Sequence, residues 1–265
     1  MLTRILTAVI GIPLLVLVIS LGGIPLLLSV IIVTSIGLYE LYNTVKINGQ
    51  FNMNVSLEMV LSLFLLLIMK YMEGWILPFL ILIFTLHFIY QLFAKDPSFF
   101  NGLLGFFGIT YISLLFGHLL LFERLIFGNY LIWLVFLTAW STDTFAYFTG
   151  FLFGKRKLCP HISPKKTIEG AIGGILGSFV MTMIFAYYLR YFHGINVELS
   201  HIIILSIFSS IISQFGDLTA SIIKRYFGVK DFGKIFPGHG GVLDRFDSIL
   251  FTAPFVYYYI SFFIC

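Results

Sequence analysis

The stretch Ser221–Asp247 reads SIIKRYFGVKDFGKIFPGHGGVLDRFD, and the fold of the whole chain is interpreted around it. It carries three aspartates, five Lys or Arg residues and five glycines. Strongly apolar sequence lies on both sides of it, so its charges lie at the surface of a membrane or inside one. Charge in that environment is costly and usually has a function.

The composition excludes an ordinary soluble domain. The chain has 265 residues, of which 59% are hydrophobic and 11% charged, and its mean hydropathy is +1.02. Soluble domains carry about 25% charged residues. A helix crosses a bilayer with about 20 mostly apolar residues. Nine segments fit: 5–20, 24–42, 56–71, 75–93, 101–121, 130–152, 170–192, 198–226 and 246–264. We therefore predict an all-α, polytopic integral membrane protein with about nine transmembrane helices, the first of them retained rather than cleaved.

The loops between these segments predict the orientation. All 16 Lys and Arg residues except Lys70, Arg124 and Arg190 fall on the side of the amino terminus. Positive residues accumulate on the cytoplasmic side of membrane proteins. We expect a multi-pass protein of the cell membrane with a cytoplasmic amino terminus, an external carboxyl terminus and two cytosolic loops, 154–169 and 227–243. The two cysteines, Cys159 and Cys265, indicate neither a disulfide framework nor a zinc site.

Polar residues enter the helices only after about residue 138. We therefore expect residues 1–129 to be a transmembrane scaffold with the dimer contacts, and residues 130–265 to be the catalytic half. Glu40, near the cytosolic end of the second segment, is interpreted as an interfacial residue rather than a catalytic one.

The sixth segment carries a carboxylate near its middle. Trp140, Asp143 and Tyr147 are spaced so that they share one helical face. An intramembrane carboxylate usually faces the bundle interior or a wet cavity. Asp143 is therefore either part of a polar active cavity or a hydrogen-bonded structural residue.

The next loop contains Ser163-Pro-Lys-Lys-Thr-Ile-Glu-Gly170. Thr167 or Ser163 can cap the start of the seventh helix, with Glu169 in its first turn. Free N–H groups at a helix start, next to Lys165 and Lys166, favour binding of a phosphate. The alternative is that these lysines only set the orientation. Four glycines on the same helix predict close packing against a neighbour: Gly170, Gly173, Gly174 and Gly177.

The eighth segment has a polar stripe along one face. Ser213, Asp217, Ser221 and Lys224 are spaced by 4, 4 and 3 residues. In an otherwise apolar helix this face must lie against protein or water. Asp217 and Lys224 are too far apart to bond each other, so each needs another partner.

Three carboxylates are candidates for one cation. Asp244 and Asp247 are three residues apart at the start of the ninth segment, and Asp217 precedes them on the eighth. Mg²⁺ prefers carboxylates together with water and substrate phosphates. The alternative is an ion-pair network of these carboxylates with Lys224, Arg225 or Arg245.

The stretch resembles the signature of the phosphatidate cytidylyltransferases, also called CDP-diacylglycerol synthases. The matching pattern is S-x-I-K-R-x4-K-D-x-G-x2-F-P-x-H-G-G-V-x-D-R-F-D, filled from Ser221 to Asp247. The segments SPKKTIEGAIGG (163–174) and WSTDTFAY (140–147) are also similar to that family. The resemblance implies the conversion of CTP and phosphatidic acid to CDP-diacylglycerol and pyrophosphate. It also implies Mg²⁺, as one or two ions, and a homodimer in the lipid bilayer. No nucleic-acid partner is expected.

The roles expected on this basis fall into three groups. The catalytic residues are Asp217, Ser221, Lys224, Asp244 and Asp247. The metal ligands among them are Asp217, Asp244 and Asp247. The substrate-binding residues are Asp143, Lys165, Lys166, Thr167, Arg225, Lys230, His239 and Arg245.

Two other functions fit parts of the pattern. A CTP-dependent kinase of polyprenols or other lipids would use a similar magnesium and phosphate pocket but transfer the γ-phosphoryl group. A transporter would spread its polar residues over many helices and show inverted repeats. Here the polar residues are concentrated in the last four segments and two loops, which disfavours the transporter.

Overall fold

Helices dominate the computed structural model, which describes residues 2–47, 51–235 and 240–264. Within those ranges nine long helical segments follow one another, and each overlaps one predicted span. They are α1 (Leu2–Leu21), α2 (Gly23–Lys46), α3 (Val55–Tyr71), α4 (Glu73–Leu92), α5 (Phe99–Arg124), α6 (Gly128–Phe153), α7 (Ile168–His193), α8 (Leu199–Tyr226) and α9 (Leu243–Phe263). The predicted fold class, a polytopic helical membrane protein, is confirmed.

Six of the described helices are long and apolar enough to cross a membrane: α2, α4, α5, α6, α7 and α8. The remaining three depart from that pattern for visible reasons. The described apolar stretch of α1 is short, Gly11–Leu21. α3 has 17 residues, which at about 1.5 Å per residue span roughly 25 Å of a hydrocarbon core about 30 Å thick. α9 carries Asp244, Arg245 and Asp247 in its first turns.

A small β-hairpin between α6 and α7 was not predicted. Strand β1 (Lys157–Cys159) pairs antiparallel with β2 (Ser163–Thr167), so that Lys157 lies opposite Thr167. Immediately after β2 the chain enters α7, and the Ile168 N–H donates to the Arg156 carbonyl at 2.9 Å. Lys165 and Lys166 of the hairpin therefore lie immediately before the start of α7.

The chain divides into two compact units. The first unit comprises Met1–Leu121 and Tyr226–Arg245. Its second part includes residues 227–243, called the signature loop below, of which 236–239 lie outside the described residues. In its core, His87 Nε2 lies 2.9 Å from Glu58 Oε2, and the Tyr42 hydroxyl donates to the Gly105 carbonyl at 3.0 Å. This polar cluster links α2, α3, α4 and α5.

The second unit comprises Phe122–Arg225 and Phe246–Cys265. Its helices α6 and α7 pack closely along the glycine face of α7, as predicted. A Cβ atom at Gly173 would overlap Thr149, and one at Gly174 would lie 2.9 Å from the Thr142 carbonyl oxygen. Small residues thus let α7 approach the helix that carries Asp143.

Candidate active site

A cavity of about 580 Å³ opens within the second unit. Its wall combines side chains of α6, the hairpin, the start of α7 and the middle of α8. The polar residues that line it are Asp143, Tyr147, Lys157, Lys165, Lys166, Thr167, Gln214 and Asp217. The predicted substrate-binding residues Asp143, Lys165, Lys166 and Thr167 are therefore brought together in one cavity.

The start of α7 forms one side of this cavity. The Thr167 hydroxyl accepts a hydrogen bond from the Gly170 N–H at 3.1 Å, so Thr167 is the cap, whereas Ser163 lies at the beginning of β2. The Glu169 carboxylate accepts from the N–H groups of Lys155 and Arg156 at 3.0 and 3.2 Å. These bonds hold the loop before β1 against the helix start, where partial positive charge favours an anion.

Asp217 forms an ion pair across the cavity wall. Its Oδ2 lies 2.5 Å from Lys166 Nζ, and about a quarter of each side chain is exposed. The spacing of residues on α8 requires a partner for Asp217 other than Lys224, and Lys166 is that partner. The positive charge of Lys166 can attract a phosphate group, and the negative charge of Asp217 can attract a cation.

Two further charged residues of the second unit, Asp247 and Lys224, are buried. Asp247 and Lys224 are each 8% exposed, and Asp247 lies within electrostatic range of Asp217, Asp143 and Lys224. The Ser248 hydroxyl donates to Asp143 Oδ2 at 3.2 Å, which links α9 to α6. Three carboxylates and one ammonium group from α6, α8 and α9 therefore share one region of the second unit.

The polar stripe of α8 faces protein, as expected. Ser213 is fully buried, Ser221 is 8% exposed, and Asp217 reaches the cavity. Gly216 permits this arrangement, because a Cβ atom there would lie only 2.7 Å from the Asp247 carbonyl oxygen. The backbones of α8 and α9 thus approach each other next to the two aspartates.

The other predicted residues are not among those that line this cavity. Asp244 belongs to the first unit, where its Oδ2 accepts from the N–H groups of Phe232 and Gly241 at 2.8 and 2.9 Å. Arg225 Nε donates to the Ile162 carbonyl of the hairpin turn at 3.4 Å. Lys230 and Arg245 are exposed residues of the first unit, and His239 lies outside the described residues.

The donor set near the cavity has the chemistry that Mg²⁺ requires, namely carboxylate oxygens. Within residues 2–47, 51–235 and 240–264, however, no group of three or more His, Cys, Asp or Glu side chains is close enough to hold a metal ion. The three-carboxylate ligand set of Asp217, Asp244 and Asp247 stays a prediction.

Three polar residues of the cavity were not predicted as site residues: Tyr147, Lys157 and Gln214. The sequence already puts Tyr147 on one helical face with Asp143. Gln214 lies three residues before Asp217 on α8, and its amide donates to the Ala171 carbonyl at 3.3 Å. Its spacing from Asp217 could have added it to the polar stripe. Lys157 had no such signal, because it reaches the cavity only through the unpredicted hairpin.

Comparison with known proteins agrees with this architecture. The model of the cytidylyltransferase family matches residues 2–263. The chain is similar to a phosphatidate cytidylyltransferase of Staphylococcus saprophyticus, with 36% identity over 95% of each chain, and to one of Staphylococcus haemolyticus, with 34% identity over the same shares. A phosphatidate cytidylyltransferase of Bacillus subtilis is 47% identical over 47% of this chain and 45% of its own. This polytopic helical protein therefore belongs to the cytidylyltransferase family.

Proposed function

We propose that the protein transfers CMP from CTP to phosphatidic acid, giving CDP-diacylglycerol and pyrophosphate for phospholipid biosynthesis. The observation that carries this proposal is the cavity of the second unit, where two lysines and a capped helix start lie opposite an aspartate in a membrane-spanning helix bundle. Basic groups suit the triphosphate, and the apolar helices around them suit a lipid substrate. The family and the names of the full-length relatives support the same reaction.

The reaction needs no nucleophile from the protein. An anionic oxygen of the lipid phosphate attacks the α-phosphorus of CTP, a new P–O bond forms, and the bond to the β-phosphate oxygen breaks to release pyrophosphate. Catalysis is then mainly positioning and neutralisation of charge. Lys165, Lys166 and Thr167 bind the triphosphate in this proposal, and Ser221 and Lys224 hold the reacting phosphate.

Mg²⁺ is proposed as the cofactor, and one or two ions fit the reaction. The fit rests on Asp217, which already holds the ammonium group of Lys166, and on Asp247 close to it. Asp244 is the third proposed ligand. When bound, the metal would neutralise phosphate oxygens during the transfer.

We further propose a homodimer in the cell membrane, with the amino terminus and the two basic loops in the cytoplasm. CTP is a soluble cytosolic nucleotide, so a site assembled from the basic loop 154–169 has to face that compartment. The distribution of Lys and Arg supports this orientation.

The deciding experiment uses purified protein with CTP, phosphatidic acid and Mg²⁺, with and without a chelator. Label in the cytidine of CTP should enter the lipid, and label in the γ-phosphate should leave as pyrophosphate. Transfer of the γ-label to lipid without the cytidine label would instead show a lipid kinase. Turnover that persists in the presence of the chelator would show that the reaction does not require the metal.

A further inference from the structure

Glu40 is a buried carboxylate that the cavity of the second unit does not use. It lies on α2 in the first unit, and only 3% of its surface is exposed. The interpretation of Glu40 as an interfacial residue is therefore wrong, because its side chain points into protein rather than toward lipid headgroups. A buried charge is costly unless it is hydrogen-bonded.

The partners of Glu40 are the N–H groups of Val242 and Leu243, at the start of α9. Oε1 accepts from Val242 at 3.0 Å, and Oε2 accepts from Leu243 at 2.9 Å. α9 begins at Leu243, and the first N–H groups of a helix have no partner within it and carry partial positive charge. Glu40 is thus a helix cap supplied from a residue 202 positions earlier in the chain.

Two glycines of the signature loop make room for this carboxylate. A Cβ atom at Gly233 or at Gly241 would overlap the Glu40 side chain. One turn further along α2, the Thr44 hydroxyl oxygen lies 3.4 Å from the Phe232 carbonyl oxygen. Both described ends of the loop therefore pass directly against α2.

Asp244 fixes the same ends of the loop from the side of α9. Its Oδ2 accepts from the N–H groups of Phe232 and Gly241, at opposite ends of the loop. The backbone of the loop is therefore held by two carboxylates, one from α2 and one from α9. The two bonds described for the Glu40 carboxylate both go to backbone N–H groups at the start of α9, and neither involves a lysine or arginine.

We propose that Glu40 is a positioning residue for nucleotidyl transfer. By fixing the start of α9, it sets the orientation of Asp244 and, one turn later on the same helix, of Asp247. This inference rests on the proposed function, because it assigns Glu40 a part in that reaction. An apolar residue could fill the same volume in α2 but could not accept the two N–H groups.

The test compares Glu40→Gln with Glu58→Gln. Glu58 is a matched control, since it is 2% exposed, lies in the same unit and bonds His87 instead of the loop. Glutamine keeps one acceptor oxygen but turns an NH₂ group toward the other amide. Hydrogen exchange of the peptide containing Val242 and Leu243 is measured together with kcat and KM for CTP.

Glu40→Gln should speed exchange at those amides about tenfold or more, since hydrogen bonds to charged groups are among the stronger ones in proteins. It should also lower kcat about tenfold while KM for CTP changes less than about threefold. Glu58→Gln should leave exchange at the start of α9 and the kcat of the folded protein at their wild-type values. Wild-type exchange in Glu40→Gln, or faster exchange with an unchanged kcat, would overturn the positioning role.

A second variant covers the case in which Glu40→Gln does not fold. Gly241→Ala leaves Glu40 in the chain but places a methyl group where its carboxylate lies, so it should reproduce the faster exchange and the lower kcat. A folded Gly241→Ala protein with wild-type values would contradict the proposal. The exchange measurement does not depend on the reaction, so an inactive wild-type protein would count against the proposed function and not against the cap.

Discussion

At the scale of single residues, the ion pair of Lys166 and Asp217 is the most informative contact of the cavity. Because about a quarter of each side chain is exposed, solvent weakens their attraction, and the pair can separate at modest cost. In the proposed reaction, the ammonium group of Lys166 binds phosphate and the carboxylate of Asp217 binds a cation. Both charged groups are therefore already in the cavity wall before substrates bind in that reaction.

Lys166→Met should raise KM for CTP about tenfold, because one charged contact to the triphosphate is lost. Steady-state kinetics at saturating phosphatidic acid measure this. Lys155→Met is the matched control, since Lys155 lies in the same basic loop but is not among the residues that line the cavity. Equal effects of the two substitutions would mean that Lys166 acts only through the general charge of the loop.

Asp217→Asn should lower kcat by about a hundredfold or more and abolish the dependence of the residual rate on Mg²⁺ concentration. The reason is that an amide neither neutralises Lys166 nor binds a hard cation well. Asp96→Asn, an exposed substitution between α4 and α5, is the control. A normal magnesium titration in Asp217→Asn would exclude this residue as a ligand.

At the scale of helices, the site depends on close backbone approach at glycines. Gly216 lets α8 lie against α9 beside Asp217 and Asp247, and Gly173 and Gly174 let α7 lie against α6. The hairpin then places its lysines at the capped end of α7. The glycines thus let the helices approach closely, and this approach brings the charged side chains together.

Gly216→Ala should lower kcat about tenfold with little loss of membrane-inserted protein. The new methyl group would lie 2.7 Å from the Asp247 carbonyl oxygen and 3.3 Å from the Ser248 Cα atom, so α8 and α9 must move apart. Gly74→Ala is the control, because nothing lies within 4 Å of its added Cβ atom. Wild-type kcat in Gly216→Ala would show that the spacing of these helices does not matter for the reaction.

The helices were predictable because apolar runs of spanning length are a local property of the sequence. The cap at Thr167 and the glycine face of α7 were predictable for the same reason, as each follows from spacing within one helix. The hairpin was missed because its strands are short and lysine-rich, with no clear alternation. Glu40 was misinterpreted because its partners, Val242 and Leu243, are distant in sequence and only the tertiary structure brings them to it.

At the scale of the whole molecule, the chain leaves the first unit at residue 121 and returns to it for residues 226–245. The basic residues that bind substrate in our proposal come from both the intervening and the returning segments. That proposal requires both basic loops, 154–169 and 227–243, to face the same compartment.

The two native cysteines provide a test of orientation. An impermeant maleimide applied to intact cells should label Cys265 but not Cys159, because the positive-inside distribution predicts that the loop containing Cys159 lies in the cytoplasm. Cys159 is partly exposed in β1, whereas Cys265 lies outside the described residues. Cys159→Ser and Cys265→Ser identify the band, and permeabilised cells are the positive control. Labelling of Cys159 in intact cells would reverse the topology.

The return of residues 226–245 to the first unit has a consequence for biosynthesis. When Glu40 is added to the growing chain, the first of the amides that it caps is still 202 residues from being made. At about 5–20 residues per second, that interval is roughly 10–40 s. During this time the Glu40 carboxylate lacks its two native N–H partners, so water or the translocon has to solvate it. The early spans are thus inserted long before their final hydrogen bonds can form.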